Sequence, residues 1–200
     1  MNPKVILFDL GDVVCRFVPE RRLELLAAAC GTSPQDVREA LYGTGLVDLW
    51  DQGGATAGRI HETVRTELGF KGGRAELERL WCAAFDPDHE VLRLVRASRP
   101  CRTALFTNND ALLLSALPRV MPQLAECFDK LIFSCELGAK KPDPRTFEQA
   151  LSEMSADPAD VVFIDDKAEN VSAAGRLGIP GVRFHGADAL TETWKTLFPM

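Results

Sequence analysis

Between Arg102 and Phe184 the chain alternates between short apolar runs, rich in β-branched and aromatic residues, and longer stretches with helical spacing. The runs are "RTALFT" (102–107), "KLIFS" (130–134), "DVVFID" (160–165) and "GVRF" (181–184). Helical patterns occupy 110–117, 144–154 and 168–177, the last closed by Gly178. Strand, helix, strand, helix is the signature of a parallel sheet wrapped by helices. A further run at residues 4–9, "KVILFD", has the apolar character of a buried strand.

The stretch from 19 to about 98 has no strand character. "PERRLELLAAACG" has helical spacing and a terminal glycine, and "SPQDVREALYG" opens with Ser33 as N-cap, Pro34 at the first helical position and Asp36 in capping-box position. "TAGRIHETVRTELGF" puts Ile60, Val64 and Leu68 on one face, and "RAELERLWCAAF" and "HEVLRLVRAS" continue the pattern. The sequence therefore predicts an α/β fold: a doubly wound parallel sheet with an inserted helical domain. The core would comprise residues 1–15 and 88–200, and the insertion residues 16–87, roughly 70 residues after the first strand. Trp50 and Trp81 are expected in the core of the insertion.

The formal net charge of -6 argues against nucleic acid or an anionic membrane as partner, since both demand a basic face. A phosphate ligand needs only a few local cations or a metal ion. No apolar run approaches the length of a membrane-spanning helix, and the first apolar stretch is too short for a signal peptide. The six cysteines, at 15, 30, 82, 101, 127 and 135, form no C-x-x-C pair, and no histidine stands near them at zinc spacing. Buried reduced thiols and a cytoplasmic location are the expectation.

In doubly wound sheets ligands bind beyond the carboxyl ends of the strands. Asp9 follows the first strand, Thr107 and Asn108 end the second, and Asp165 and Asp166 follow the fourth, with Lys140 and Lys141 in the loop after the third. Carboxylates from two strands suit magnesium, which takes one or two of them plus waters and substrate phosphate oxygens. A hydroxyl, backbone N–H groups and a lysine suit phosphate. A carboxylate held beside metal and phosphate is placed to attack phosphorus. His61, His89 and His185 show no partner pattern, and Arg16, Arg21 and Arg22 read as solvated helix charges.

Four stretches, "FDLGDVV", "ALFTNND", "AKKPDPRTFEQAL" and "VFIDDKAENVSAAGRLGI", resemble in order and spacing the motifs of the haloacid dehalogenase (HAD) superfamily, in the branch with a helical cap after the first motif. The "FDLGxV" start is similar to a branch that includes sugar-1-phosphate phosphatases. The resemblance implies a magnesium-dependent phosphatase of a small phosphorylated metabolite, working through an aspartyl-phosphate. It implies Asp9 as nucleophile and metal ligand, with the Gly11 carbonyl and Asp166 completing the ligand set. Asp165 and Asn170 would stand just behind them, Asn170 ordering water. Thr107 and the Asn108 backbone would bind phosphate, and Lys141, directly before Pro142, would neutralise it and orient Asp9. Lys140 would be a solvated neighbour.

The chain departs from the family at one position. Phosphatases of this family usually carry D-x-D, whose second aspartate protonates the leaving oxygen and then activates water; the branch with the "FDLGxV" start suggests that activity persists without it. Here that position is Gly11, and Asp12 comes one residue late. Loss of a positioned general acid–base typically costs about 10²–10⁴ in rate. Asp12 is expected to serve the turn, and turnover to depend steeply on the leaving group. A haloacid dehalogenase, which needs no leaving-group proton, and a non-catalytic binding protein are the alternative classes.

Overall fold

The computed structural model describes residues 3–197; the expected core segments extend beyond these at 1–2 and 198–200. In chain order the elements are β1 (Val5–Phe8), β2 (Cys15–Phe17), α1 (Pro19–Cys30), α2 (Pro34–Arg38), α3 (Leu46–Asp51), α4 (Ala57–Leu68), α5 (Arg74–Cys82), β3 (Phe85–Pro87), α6 (His89–Ala97), β4 (Arg102–Thr107), α7 (Ala111–Val120), α8 (Pro122–Ala125), β5 (Lys130–Phe133), α9 (Ser134–Leu137), α10 (Pro144–Met154), β6 (Val161–Asp165), α11 (Ala168–Arg176), β7 (Gly181–Arg183) and α12 (Ala187–Leu197). A π-helical turn, Glu39–Gly43, extends α2.

Five strands form one sheet in the order β5-β4-β1-β6-β7, and every pairing is parallel. The central strand β1 is wholly buried, which is why it reads as an unbroken apolar run and does not alternate. Its side chains still alternate between two cores. Ile6 and Phe8 join Leu105, Val162 and Ile164 under α6, α7 and α12. Val5 and Leu7 join Ala104, Phe106 and Phe163 under α10 and α11. On that second face Phe106, Phe147 and Phe163 stack mutually, with centroids 5.3–5.8 Å apart.

The register places the chemistry. Phe8 pairs with Leu105 on one side and Ile164 on the other, so the next residue, Asp9, comes level with Phe106 and Asp165. The Asp9 N–H donates to Ile164 O at 2.9 Å, holding that alignment one residue past the strand.

The capping box at Ser33 and Asp36 forms in full, and α1 ends on Gly31 at φ 70°, where a side chain would be strained. One expectation fails. The stretch from 19 to about 98 does hold a strand: β3 pairs antiparallel with β2, Phe85 opposite Phe17. Three-residue strands carry no periodicity to detect, and here tertiary pairing decides. The two arms bracket helices α1–α5, and the rings of Phe17 and Phe85 pack at 5.0 Å. Trp50 and Trp81 are buried together, centroids 6.2 Å apart.

Candidate active site

Lys141 stands at the centre of the rim. Its ammonium donates to Asp9 Oδ1 at 2.9 Å, Asp165 Oδ2 at 2.9 Å and Phe106 O at 2.7 Å, one acceptor for each proton. The ammonium lies 4.9 Å and 5.1 Å from the ring centroids of Phe106 and Phe163, which close it off from below. The lysine loop is pinned by Asn108. Its Nδ2 donates to Lys141 O at 2.8 Å, and its Oδ1 accepts from Lys141 N at 2.9 Å. Lys140 points elsewhere, to an ion pair with Asp48 on α3.

The three aspartates differ in what surrounds them. Burial pushes the Asp9 carboxyl above its ordinary pKa; the Lys141 charge opposes this and the Asp165 charge adds to it. Asp165 is fully buried and saturated by the chain. Its Oδ1 accepts from Lys167 N at 2.8 Å, and the Asn170 amide lies 3.0 Å from both carboxyl oxygens. Asp166 is the reverse. Its Oδ1 is shielded from solvent with no hydrogen-bond partner among the described residues, and burial, then the charges of Asp9 and Asp165, raise its pKa. Ligand atoms of the three lie within 4.8 Å of one another. Three carboxylates against one ammonium, with an orphaned oxygen on Asp166, fit a hard divalent cation.

The Thr107 hydroxyl is buried at the end of β4 and accepts from Asn109 Nδ2 at 2.7 Å. Gly11 bridges to Cys15 in the turn after β1. Asp12 takes the left-handed conformation, φ 57°, and its Oδ1 accepts from Phe17 N at 3.0 Å. Its carboxylate is thus occupied by the turn that leads into β2.

A cavity of about 270 Å³ joins these groups; Asp9, Gly11, Thr107, Asn108, Lys141, Asp166 and Asn170 all line it. Six lining residues come from the inserted segment, Phe17, Arg22, Tyr42, Val47, Asp51 and Phe85, and none has a marker in the sequence. Arg22 corrects the reading of a solvated helix charge. It is 3% exposed, with its guanidinium 4.3 Å above the Trp81 ring and its Nε donating to Trp81 O at 3.1 Å. Arg16 is exposed, and Arg21 pairs with Asp86. The Asp51 carboxyl is pushed up to about 8, first by burial and then by the Asp110 charge. His61 is structural, its Nε2 2.9 Å from Gly72 O.

With this arrangement in view, the chain belongs to the haloacid dehalogenase-like hydrolase family, which it matches over residues 3–178. It is 25% identical over 190 residues to the sesquiterpene phosphatase astK of Aspergillus oryzae, with 94% of this chain and 91% of that protein aligned. Over 104 residues it is 36% identical to bifunctional epoxide hydrolase 2 of Mus musculus; that region is 48% of this chain but 19% of the mouse protein's length. Among solved structures, a HAD family enzyme of Bacteroides thetaiotaomicron, crystallised with magnesium and inorganic phosphate, superposes with a TM-score of 0.75 at 24% identity, covering 92% of this chain and 95% of that one. That likeness is one of fold.

Proposed function

We propose that the protein is a magnesium-dependent phosphatase of a small phosphorylated metabolite, such as a sugar phosphate, acting through an aspartyl-phosphate on Asp9. The observation that carries this reading is the orphaned Asp166 oxygen beside Asp9 and a lysine that already neutralises Asp165. Asp9, Asp166 and the Gly11 carbonyl would hold the cation, which when bound supplies a positive charge to the transferring phosphoryl group.

The chain's own residues do the rest. Asp9 attacks phosphorus, and Lys141 orients the attacking carboxylate and offsets charge on the phosphoryl oxygens. The Thr107 hydroxyl and the backbone at Asn108 bind those oxygens. Asp165, tied down by Asn170, keeps Lys141 in place. Helices between Arg16 and Pro87 act as a cap over the core and set the substrate's size. The phosphatase named among the relatives supports the reaction class, and the magnesium and phosphate of the Bacteroides enzyme support the cofactor.

A panel of phosphate monoesters assayed with and without magnesium tests the reading. Hydrolysis that needs magnesium is expected. Undiminished hydrolysis in a chelator overturns it and favours the dehalogenase class, which a relative 25% identical over 134 residues, (S)-2-haloacid dehalogenase 4A of Burkholderia cepacia, represents.

A further inference from the structure

In-line displacement puts the leaving oxygen on the side of phosphorus away from Asp9. The helical segment lines the same cavity as Asp9, and its one carboxyl there is Asp51, at the C-terminal end of α3. Its carboxyl makes no hydrogen bond and no ion pair among the described residues, unlike Asp165, Asp110 and Asp12, whose carboxyl oxygens accept bonds from the chain.

Although α3 belongs to the helical segment, its end is fastened to the sheet. The Asp51 carbonyl accepts from Ser134 Oγ at 2.6 Å, at the end of β5. Lys140, beside the lysine of the site, pairs with Asp48 one turn earlier. Two residues on, Gly53 packs against Cys135 so closely that a Cβ there would lie 2.5 Å from the Cys135 carbonyl oxygen. Trp50, next to Asp51, is buried against Trp81, whose Nε1 donates to Asp110 at 2.9 Å. The carboxyl is therefore held at a fixed place relative to Asp9.

We propose that Asp51 is the general acid–base of the reaction, supplying from the facing wall the proton that Gly11 cannot. As Asp9 bonds to phosphorus, the bond to the ester oxygen breaks and that oxygen takes the proton of Asp51, leaving as the neutral alcohol. Asp51, now a carboxylate, accepts a proton from the water that attacks phosphorus as the Asp9–phosphorus bond breaks. Phosphate leaves and Asp51 is protonated again. Leaving group and water occupy the same face, so one residue serves both steps. The groups around it are Asp110 before α7, Asp48 on its own helix, Cys135 on α9, Lys140 and Arg22. The two cations lower its pKa less than burial and Asp110 raise it, so the acid form persists at neutral pH.

Asp51 has this role only if the protein is the phosphatase proposed above, and one experiment separates the two. Wild type and Asp51→Asn are compared with magnesium on aryl and alkyl phosphates of graded leaving-group pKa, from about pH 6 to about pH 10. Wild-type turnover of alkyl esters should fall along a basic limb. Asp51→Asn should lose about 10²–10⁴ on alkyl esters, much less on aryl esters, and the limb should vanish. Asp51→Glu should recover part of the alkyl rate. Carbon-13 NMR of aspartate-labelled wild type should show a carboxyl titrating near about 8, absent from Asp51→Asn. Equal losses on both ester series, or none, overturn the role while leaving the phosphatase intact. Wild type that hydrolyses no phosphate ester overturns both. If Asp51→Asn does not fold, the wild-type titration and pH limb decide: a missing limb overturns the role.

Discussion

The ammonium of Lys141 lies 2.9 Å from Oδ1 of Asp9, with the lysine side chain 1% exposed and the aspartate side chain 11%. Removing one partner of a buried pair leaves an uncompensated charge, which typically costs about 3–5 kcal/mol. Lys141→Ala should therefore melt lower and lose turnover by about 10²-fold or more. Lys140 pairs with an exposed carboxylate, and such pairs contribute about 0–1 kcal/mol. Lys140→Ala should change both quantities little. Steady-state kinetics and thermal melts of the two variants check this; equal losses would show that the wrong lysine has been placed in the site.

Magnesium should raise the melting temperature. A ligand at 100 times its Kd stabilises by about 2.7 kcal/mol. Asp166→Asn should lose most of that shift, because Asp166 Oδ1 is a buried carboxyl oxygen with no hydrogen-bond partner among the described residues. Asp9→Asn should abolish turnover and keep the fold, since the amide fills the same space but does not attack phosphorus. Calorimetry with and without magnesium separates the two variants. An unchanged shift in Asp166→Asn would remove it from the ligand set.

Asp12→Ala should act on stability. It loses the bond to Phe17 N and puts a non-glycine residue without a polar side chain at φ 57°. The hydrogen bond is worth about 1 kcal/mol, and Ala loses the local bonding that lets Asp offset part of the roughly 1–2 kcal/mol cost of the left-handed conformation. Chemical denaturation should report a loss of about 1–3 kcal/mol, with turnover within a few-fold of wild type. A much larger loss of turnover on alkyl phosphates than on aryl phosphates would make Asp12 the acid.

The raised pKa of Asp51 predicts a pH trend in stability. A carboxyl that titrates at about 8 when folded, against 3.8 for an unperturbed aspartate, holds its proton longer in the folded chain. Its contribution is fully present below the unfolded pKa and is lost as pH rises through the folded one. Asp51→Asn has no such carboxyl. Relative to wild type it should gain stability between about pH 4 and about pH 8, by more than about 1.4 kcal/mol, the worth of one pKa unit. Parallel denaturation curves for the two proteins across that range would contradict the raised pKa of Asp51.

The sheet was legible because its central strands are buried on both faces and so appear as apolar runs, as in Val5–Phe8 and Val161–Asp165. The strand-end residues were legible for a related reason: in a parallel sheet, order along the chain already tells which ends share a rim. The choice of Lys141 over Lys140 came from the family motif, and its side chain does reach Asp9. What stayed hidden was contributed by packing between distant segments. The arm of β2 and β3 joins residues about 70 positions apart, and nothing in "FDP" announces it. Arg22 looked like any helix-surface arginine until Trp81 closed over it. Nothing in the sequence marks Asp51; its fixed place comes from Ser134 and Cys135, far along the chain.

The absent acid at Gly11 gives the sharpest prediction. A Cβ built on Gly11 meets Phe17 Cβ at 3.6 Å, an ordinary contact, and its φ is not in the left-handed range. The turn thus accepts a side chain there, and the residue that needs the left-handed conformation is Asp12. Gly11→Asp restores the D-x-D spacing and should fold. In wild type it should change alkyl phosphate turnover little, because Asp51 already supplies the proton. In the Asp51→Asn background it should recover alkyl turnover by about 10-fold or more, against the 10²–10⁴ lost, with little effect on aryl esters. Two acids that substitute for one another give non-additive effects, and the double-mutant cycle on log kcat/KM measures that coupling. Additive effects at the two positions would mean that Asp51 does not do the work of the missing aspartate. In that case alkyl esters should be poor substrates already in wild type, and Gly11→Asp alone should improve them.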